Sequence, residues 1–243
     1  MAGRAATPEV IWARPERAGR GPKPAYSRAD IAAAAVRIAD ADGIDAVSMR
    51  RVAGELGCGT MSLYNYVPRK EDLYELMVDA VSADYELPAG PGAADWRAEI
   101  LALARQTRDM MRRHPWLARV MSPLYGCSPN ALRFLEHCLG ALEGLDAPSG
   151  TKMELIGMVN GSVMTYVANE FATAERTRSL PWSAEQEQAA RFAYLAGQVG
   201  GGAYPRLAAA FAQGPGPGSA DDIFDRMLNR LLDSFAGAAG SAD

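Results

Sequence analysis

Histidine is nearly absent from this chain: it occurs twice, at His114 and His137. Lysine occurs three times, at Lys23, Lys70 and Lys152, and cysteine three times, at Cys58, Cys127 and Cys138. The cysteines form no CxxC pair, and no ligand set recurs at the spacing of a metal site. Cysteines without a disulfide pattern suit a reducing compartment, so a cytoplasmic protein is expected. HExxH, GxSxG, the phosphate-binding glycine loop and the dinucleotide glycine fingerprint are all missing. His137 and Cys138 are neighbours in sequence, so on a helix their side chains diverge and cannot work as a base and a nucleophile. The expectation is therefore a protein that is not an enzyme and takes no cofactor. The longest mostly apolar run, 155–168, is too short to span a bilayer and is interrupted by Asn160 and Ser162. The N-terminus lacks the continuous apolar segment of an export signal, so no membrane association is expected.

The chain has 243 residues, of which 49% are hydrophobic. That suffices for one small and one larger domain, each with its own core. A formal net charge of −4 argues at first against a nucleic-acid partner, but the charge is unevenly placed. Residues 1–70 hold 11 Lys/Arg against 7 Asp/Glu, whereas residues 71–243 hold 14 against 22. The basic part coincides with the one segment whose residue order implies a specific job.

That segment runs from 27 to 81. Ser27 can cap a helix, with Asp30 three residues on completing a near capping box. Ile31, Ala35 and Ile38 recur at helical spacing, and Gly43 can end the helix in a left-handed conformation. A second helix starts near Ser48, with Met49, Val52, Ala53 and Leu56 inward and Arg50, Arg51 and Glu55 outward. Gly57-Cys58-Gly59 allows a sharp reversal, with Cys58 tucked into the angle as a small hydrophobe. A very short third helix, 60–67, turns Leu63 and Val67 inward and leaves Thr60, Met61, Ser62, Tyr64, Asn65 and Tyr66 mostly outside. Two tyrosines and an asparagine on an exposed face are hard to explain as core. They suit groups that bond phosphates and base edges. A fourth helix after Pro68 carries Leu73, Leu76, Met77, Ala80 and Val81 back over the trihelical unit. The order predicts a helix-turn-helix that sets a short helix in a DNA groove.

The run LGCGTMSLYNYVPRKEDL, with ADGIDAVSMRRVAGE before it, resembles the DNA-binding segment of the tetracycline-repressor (TetR) family. The shared features are a Leu-Gly-small turn, a Leu-Tyr pair in the recognition helix, an aromatic two residues later and a Lys opening the next helix. The resemblance covers residues 27–81 and is much weaker beyond. It implies that Ser62, Tyr64 and Tyr66 contact backbone or bases, and that Lys70 clamps a phosphate. It also implies that Thr60 and Met61 face base edges and that Arg50 points into the groove. Two positions depart from the family pattern. Asn65 stands where Trp or His is usual, and Arg69 where a small capping residue is common. An operator sequence is therefore not inherited from any relative.

Residues 1–26 are rich in Pro and Gly without periodicity and read as a disordered arm. Its basic end, Arg20 to Tyr26, could lie along a minor groove. Val10-Ile11-Trp12 is unusual for such a segment and suggests docking on the body or on a partner subunit.

After a linker at 88–94, only helical patterns follow, so the fold class expected is all-α. It comprises a helix-turn-helix domain at 27–87 and a larger C-terminal helical bundle at 95–240. Helices are predicted at 96–113, 115–121, 129–145, 151–174, 184–211 with a break near Gly200 to Pro205, and 221–235. The helix at 151–174 is apolar on most of its circumference, and Gly157 and Gly161 would admit a close neighbour. The last helix carries Ile223, Met227, Leu228, Leu231 and Phe235 as a stripe. Helices apolar all round need cover on more than one side, which points to a two-fold homodimer; the resemblance implies the same. Aromatics and methionines suit an apolar effector, with Trp116, Tyr125, Phe134, His137, Met158 and Tyr166 as candidate pocket residues and Asn160 beside them. The combined reading is a homodimeric repressor that an apolar small molecule releases from a pseudo-palindromic double-stranded DNA operator. Two alternatives remain at this point: an unregulated DNA binder with a purely structural bundle, and a ligand-binding protein whose N-terminal helices contact protein.

Overall fold

The computed structural model describes residues 10–15, 26–88, 95–121, 126–212 and 218–238. Tyr125, residues 89–94 of the linker and most of the N-terminal arm lie outside the described residues. Among the described residues there are eleven α-helices and no strand.

The first four helices are α1 (Arg28–Asp42), α2 (Met49–Glu55), α3 (Thr60–Tyr64) and α4 (Lys70–Ser82). Helix α1 starts in a full capping box. Ser27 N–H donates to Asp30 Oδ2 at 2.8 Å, and Asp30 N–H donates to Ser27 Oγ at 3.1 Å. It ends at Gly43, whose φ of 82° is closed to most side chains. Ile31, Ala35 and Ile38 are buried, as are Leu73, Leu76, Met77 and Val81 of α4, which lies across α1. Residues 10–15 depart from the expectation of a disordered arm. A 3₁₀ turn at Ile11–Ala13 buries Ile11, and Arg28 Nη1 donates to the carbonyls of Ile11 and Arg14 at 2.9 and 3.0 Å.

The body is built from α5 (Trp96–Arg113), α6 (Leu117–Val120), α7 (Pro129–Ala141), α8 (Ser149–Ser179), α9 (Ala184–Gly200), α10 (Pro205–Ala212) and α11 (Ala220–Ala238). Helices α5, α8 and α11 share a core. It is closed by Arg108, whose Nη2 donates to Glu170 at 2.6 Å and whose Nη1 lies 2.9 Å from Asp221. The guanidinium also stands 4.4 Å from the Phe224 ring centroid, a cation–π contact in a dry setting.

The register of α11 corrects the sequence reading. Its fully buried side chains are Phe224, Leu228 and Leu232; Met227, Leu231 and Phe235 are only partly buried, and Ile223 is 46% exposed. The helix carries two apolar faces, and periodicity alone does not say which one meets its own chain. Pro205 breaks the 184–211 helix into α9 and α10, as expected. Neither helix buries a single residue: Phe192 and Tyr194 of α9, and Tyr204 just before α10, are all more than half exposed, so they are not core aromatics. The corner between α8 and α9 is held by Glu187, which accepts from Trp182 Nε1, Arg191 and Arg176. These bonds hold its carboxyl at about 2.

Three carboxylates, Asp40, Asp45 and Asp79, are among the groups that join the N-terminal unit to the body. Asp40 of α1 accepts from Trp116 Nε1 at 2.7 Å and pairs with His114 Nδ1 at 2.8 Å. Asp45 pairs with Arg119 at 2.7 Å. Buried Asp79 of α4 receives the backbone N–H of Asn130 at 2.7 Å and its side-chain amide at 3.0 Å, at the first turn of α7.

Two consequences are measurable. Asp79→Ala leaves the part-buried backbone N–H of Asn130 without its acceptor, while the side-chain amide keeps the carbonyl of residue 79 at 3.0 Å; the expected cost is about 1–3 kcal/mol, read as a lower urea midpoint. An unchanged midpoint would show that the contact adds nothing. Burial raises the Glu170 carboxyl, but the hydrogen bonds from Arg108 and Arg112 outweigh it, and the net shift is downward. The carboxylate therefore stabilises the fold at neutral pH, and this contribution fades as pH falls below the ordinary glutamate range. Glu170→Gln should flatten the acid side of a stability-against-pH curve; an acid side as steep as the parent's would refute the assignment.

Candidate nucleic-acid interface and interior cavity

Helix α2 is capped by Ser48, whose Oγ accepts from Arg51 N–H at 3.2 Å. The turn to α3 needs a positive φ at one position only, Gly57 at 67°. Gly59 has an ordinary φ of −74° and serves as the N-cap of α3. Cys58 is partly buried against the core in the angle between the helices. Leu63 and Val67 are buried and fix the roll of α3. The helix proper stops at Tyr64, shorter than the 60–67 expected, and Asn65 to Val67 continue as a turn.

With Leu63 and Val67 pointing in, the predicted contact residues are presented outward. Met61 is 78% exposed; Tyr64, Ser62 and Asn65 are exposed, while Thr60 and Tyr66 are half-buried. None of the hydroxyls and amides of Thr60, Ser62, Tyr64, Asn65 and Tyr66 makes a side-chain hydrogen bond among the described residues. Hydrogen-bonding capacity left open on five neighbouring positions is available to a ligand with many acceptors and donors.

The charged groups beside this face fall into two sets. Arg51 pairs with Asp42, Glu55 pairs with Arg37 at 3.4 Å, and Arg69 pairs with Asp72. Arg51 and Glu55 face outward as expected, but these ion pairs compensate their charges. Arg50 and Lys70 are exposed and make no ion pair among the described residues; Lys70 Nζ lies 5.3 Å from the Tyr74 ring centroid. The position of Arg69 before α4 is also explained. It caps the helix through its partner, because Asp72 accepts from Arg69 N–H at 3.1 Å.

The candidate pocket residues do not come together. A cavity of about 330 Å³ lies between α4, α5, α7 and α8. Phe134 lines it, as do Asn160 and Met164; Val78, Ser82, Tyr85 and Thr107 complete the side nearest α4. Met158 and Tyr166 face a shallow outer groove shared with Met227 of α11. Trp116 is buried at the joint with Asp40, and His137 is engaged by Glu99 through Nε2 at 2.7 Å. Ser82, Tyr85 and Thr107 gave no signal in the sequence, because hydroxyls on amphipathic helices read as ordinary boundary positions. Gly157 and Gly161 also line the cavity, and a Cβ built on either meets nothing within 4 Å. Within the described residues, then, no helix uses the close approach that they permit.

Among the described residues no cluster of His, Cys, Asp and Glu could hold a metal, and no helix is long and apolar enough to cross a membrane. Two family models match this chain. The one described as bacterial regulatory proteins, tetR family, covers residues 31–77, and the one described as tetracyclin repressor-like, C-terminal domain, covers residues 87–236. The chain is 37% identical to the HTH-type transcriptional repressor DrrR1 of Streptomyces coeruleorubidus, over 95% of this chain and 85% of that protein. It is 32% identical to an HTH-type transcriptional regulator of Saccharopolyspora erythraea, over 96% of this chain and 94% of that one. Its fold is shared with ActR of Streptomyces coelicolor, solved in complex with actinorhodin. The TM-score there is 0.71 at 24% identity, over 90% of this chain and 99% of that one.

Lys70 supplies the test of the outer face. Lys70→Ala is expected to weaken duplex binding for all sequences alike. The slope of log affinity against log salt should flatten by about one. A changed sequence preference at an unchanged slope would assign Lys70 to base reading instead.

Proposed function

This chain belongs to the TetR family of DNA-binding transcriptional regulators, and we propose that it is a homodimeric repressor released from a pseudo-palindromic operator by a small apolar molecule. The observation that carries the reading is that α4 serves both sites. Lys70, at its first residue, stands beside the recognition face, and Val78 and Ser82, near its last turn, line the cavity. Its 13 residues make a rod about 20 Å long. Such a rod passes a displacement at one end to the other, because its hydrogen-bonded turns do not compress. A molecule in the cavity pushes on α4 and re-aims the helix-turn-helix. It shifts the equilibrium only as far as it binds the two head positions with different affinity.

The dimer is supported by surfaces that one chain leaves open. The outer face of α8, with Met158 and Thr165, is exposed, and it meets the second apolar face of α11 along the groove lined by Met158 and Met227. Two such helices from each of two copies make a four-helix interface. The exposed aromatics of α9 and α10 add a second unpartnered surface on the same domain. A two-fold axis then places the two α3 helices on half-sites one helical turn apart, roughly 34–36 Å. A repressor role agrees with the name of the relative DrrR1, and a ligand role agrees with the actinorhodin complex of ActR.

Selection of bound fragments from a random duplex library at two salt concentrations tests this directly. The expected result is an enriched inverted repeat, bound by two chains in an analytical ultracentrifuge. Salt-sensitive binding without an enriched motif would replace the repressor with an architectural DNA binder. Absence of binding at either salt would refute a DNA-binding role.

A further inference from the structure

The cavity discriminates by hydrogen-bond polarity, and that polarity follows from where its hydroxyl protons are directed. A side-chain hydroxyl has one proton and two lone pairs. Ser82 Oγ donates its proton to the carbonyl of Val78 at 2.8 Å. Thr107 Oγ1 donates its own to the carbonyl of Leu103 at 2.9 Å. Thr107 then has no proton left for the 2.8 Å contact with Tyr85, so the Tyr85 phenol must be the donor there. All three protons point into the protein. What these walls offer to an occupant is lone pairs. Burial also pushes the Tyr85 phenol up to about 12, so it stays protonated and carries no charge at neutral pH.

The remaining walls set the rest of the specificity. Phe134 and the Tyr85 ring, with centroids 4.6 Å apart, form an apolar aromatic side. None of the described lining residues is charged. On α8 the Asn160 amide lines the cavity and makes no hydrogen bond among the described residues, leaving both its N–H donors and its carbonyl open. A carboxylate or phosphate entering this space gives up hydration and meets no cation among the described lining residues, which is unfavourable. An ether or ester oxygen at the Ser82–Tyr85 wall meets lone pairs only. A hydroxyl there finds two acceptors.

The geometry points to an uncharged, largely apolar effector that carries a hydroxyl group as hydrogen-bond donor toward Ser82 and Tyr85, with a carbonyl or second hydroxyl toward Asn160. This assignment rests on the cavity being the effector site. It makes Thr107 a specificity-determining residue that acts through Tyr85, by fixing which way the phenol proton points. The accepting wall belongs to α4 and the residues just after it, so the recognising bond is made to the helix that the effector has to move.

The test is calorimetric titration of the full chain at neutral pH with three probes on one ring system: 2-naphthol, 2-methoxynaphthalene and 2-naphthoate. Naphthol is expected to bind at least tenfold more tightly than its methyl ether, and naphthoate to bind least. Tyr85→Phe combined with Ser82→Ala should erase the naphthol preference while the ether still binds. Thr107→Val, close to isosteric, frees the Tyr85 proton to turn toward the cavity. It should raise ether affinity relative to naphthol, an inversion that mere loosening of the core would not produce. Equal affinity for naphthol and ether in the parent chain would overturn the donor rule while leaving the cavity a ligand site. Tightest binding of naphthoate would overturn the exclusion of charge. Failure of all three probes to bind would overturn the reading of the cavity as an effector site, and this assignment with it, while operator binding stands as a separate result.

Discussion

The hydrogen bonds that Asn130 gives to the buried carboxylate of Asp79 are the point on which this architecture turns. They fasten the last turns of α4 to the first turn of α7, so that a helix belonging to the DNA-reading unit is also a wall of the body. The apolar side of α4, from Leu73 to Val81, is buried in the N-terminal core. A helix held on both sides this way cannot shift at one end without disturbing the other. The other joints, Asp40 with Trp116 and His114 and Asp45 with Arg119, sit on α1 and the turn after it, and they steady the same unit from its far side. Such joints are polar, and a polar joint can be rearranged at lower cost than an apolar core can be repacked.

The outer face gains its character from what is left without a partner. Arg37, Arg51 and Arg69 are neutralised by carboxylates within ion-pair distance, and Arg50 and Lys70 make no ion pair among the described residues. Around α3 five polar side chains have no bond within the described protein. The charge asymmetry between the first 70 residues and the rest is therefore only a coarse guide. Local pairing decides which cations remain available to a phosphate.

How much of this was legible in the chain differs between its two parts. The capping box of Ser27 and Asp30, the reversal at Gly57 and the inward pair Leu63 and Val67 all follow from contacts within a few residues, and they were read in the right places. So was the outward face of Thr60 to Tyr66, because fixing Leu63 and Val67 leaves little choice for the others. In the body the periodicity gave the helices and their order but not their neighbours. Periodicity does not fix the apolar face of α11 that meets its own chain, with Phe224 and Leu232, because the helix has two such faces. Trp116 and His137 looked like polar or aromatic groups in need of a ligand. Each has its partner inside the protein, Asp40 and Glu99, more than thirty residues away.

The sequence by itself determined the helical class, the uneven charge of a small basic segment and a larger acidic one, and the outward orientation of the polar side chains around α3. Short-range rules govern all of these: capping, helical period and the freedom of one glycine. Only the tertiary structure decided where the cavity lies, that Ser82, Tyr85, Thr107 and Asn160 meet across it, and that the Tyr85 phenol meets Thr107. Those residues lie on three helices and the segment after α4. Their meeting depends on how whole helices stack, which no local pattern encodes. The direction of the Tyr85 proton depends on the Leu103 carbonyl, to which Tyr85 makes no hydrogen bond among the described residues.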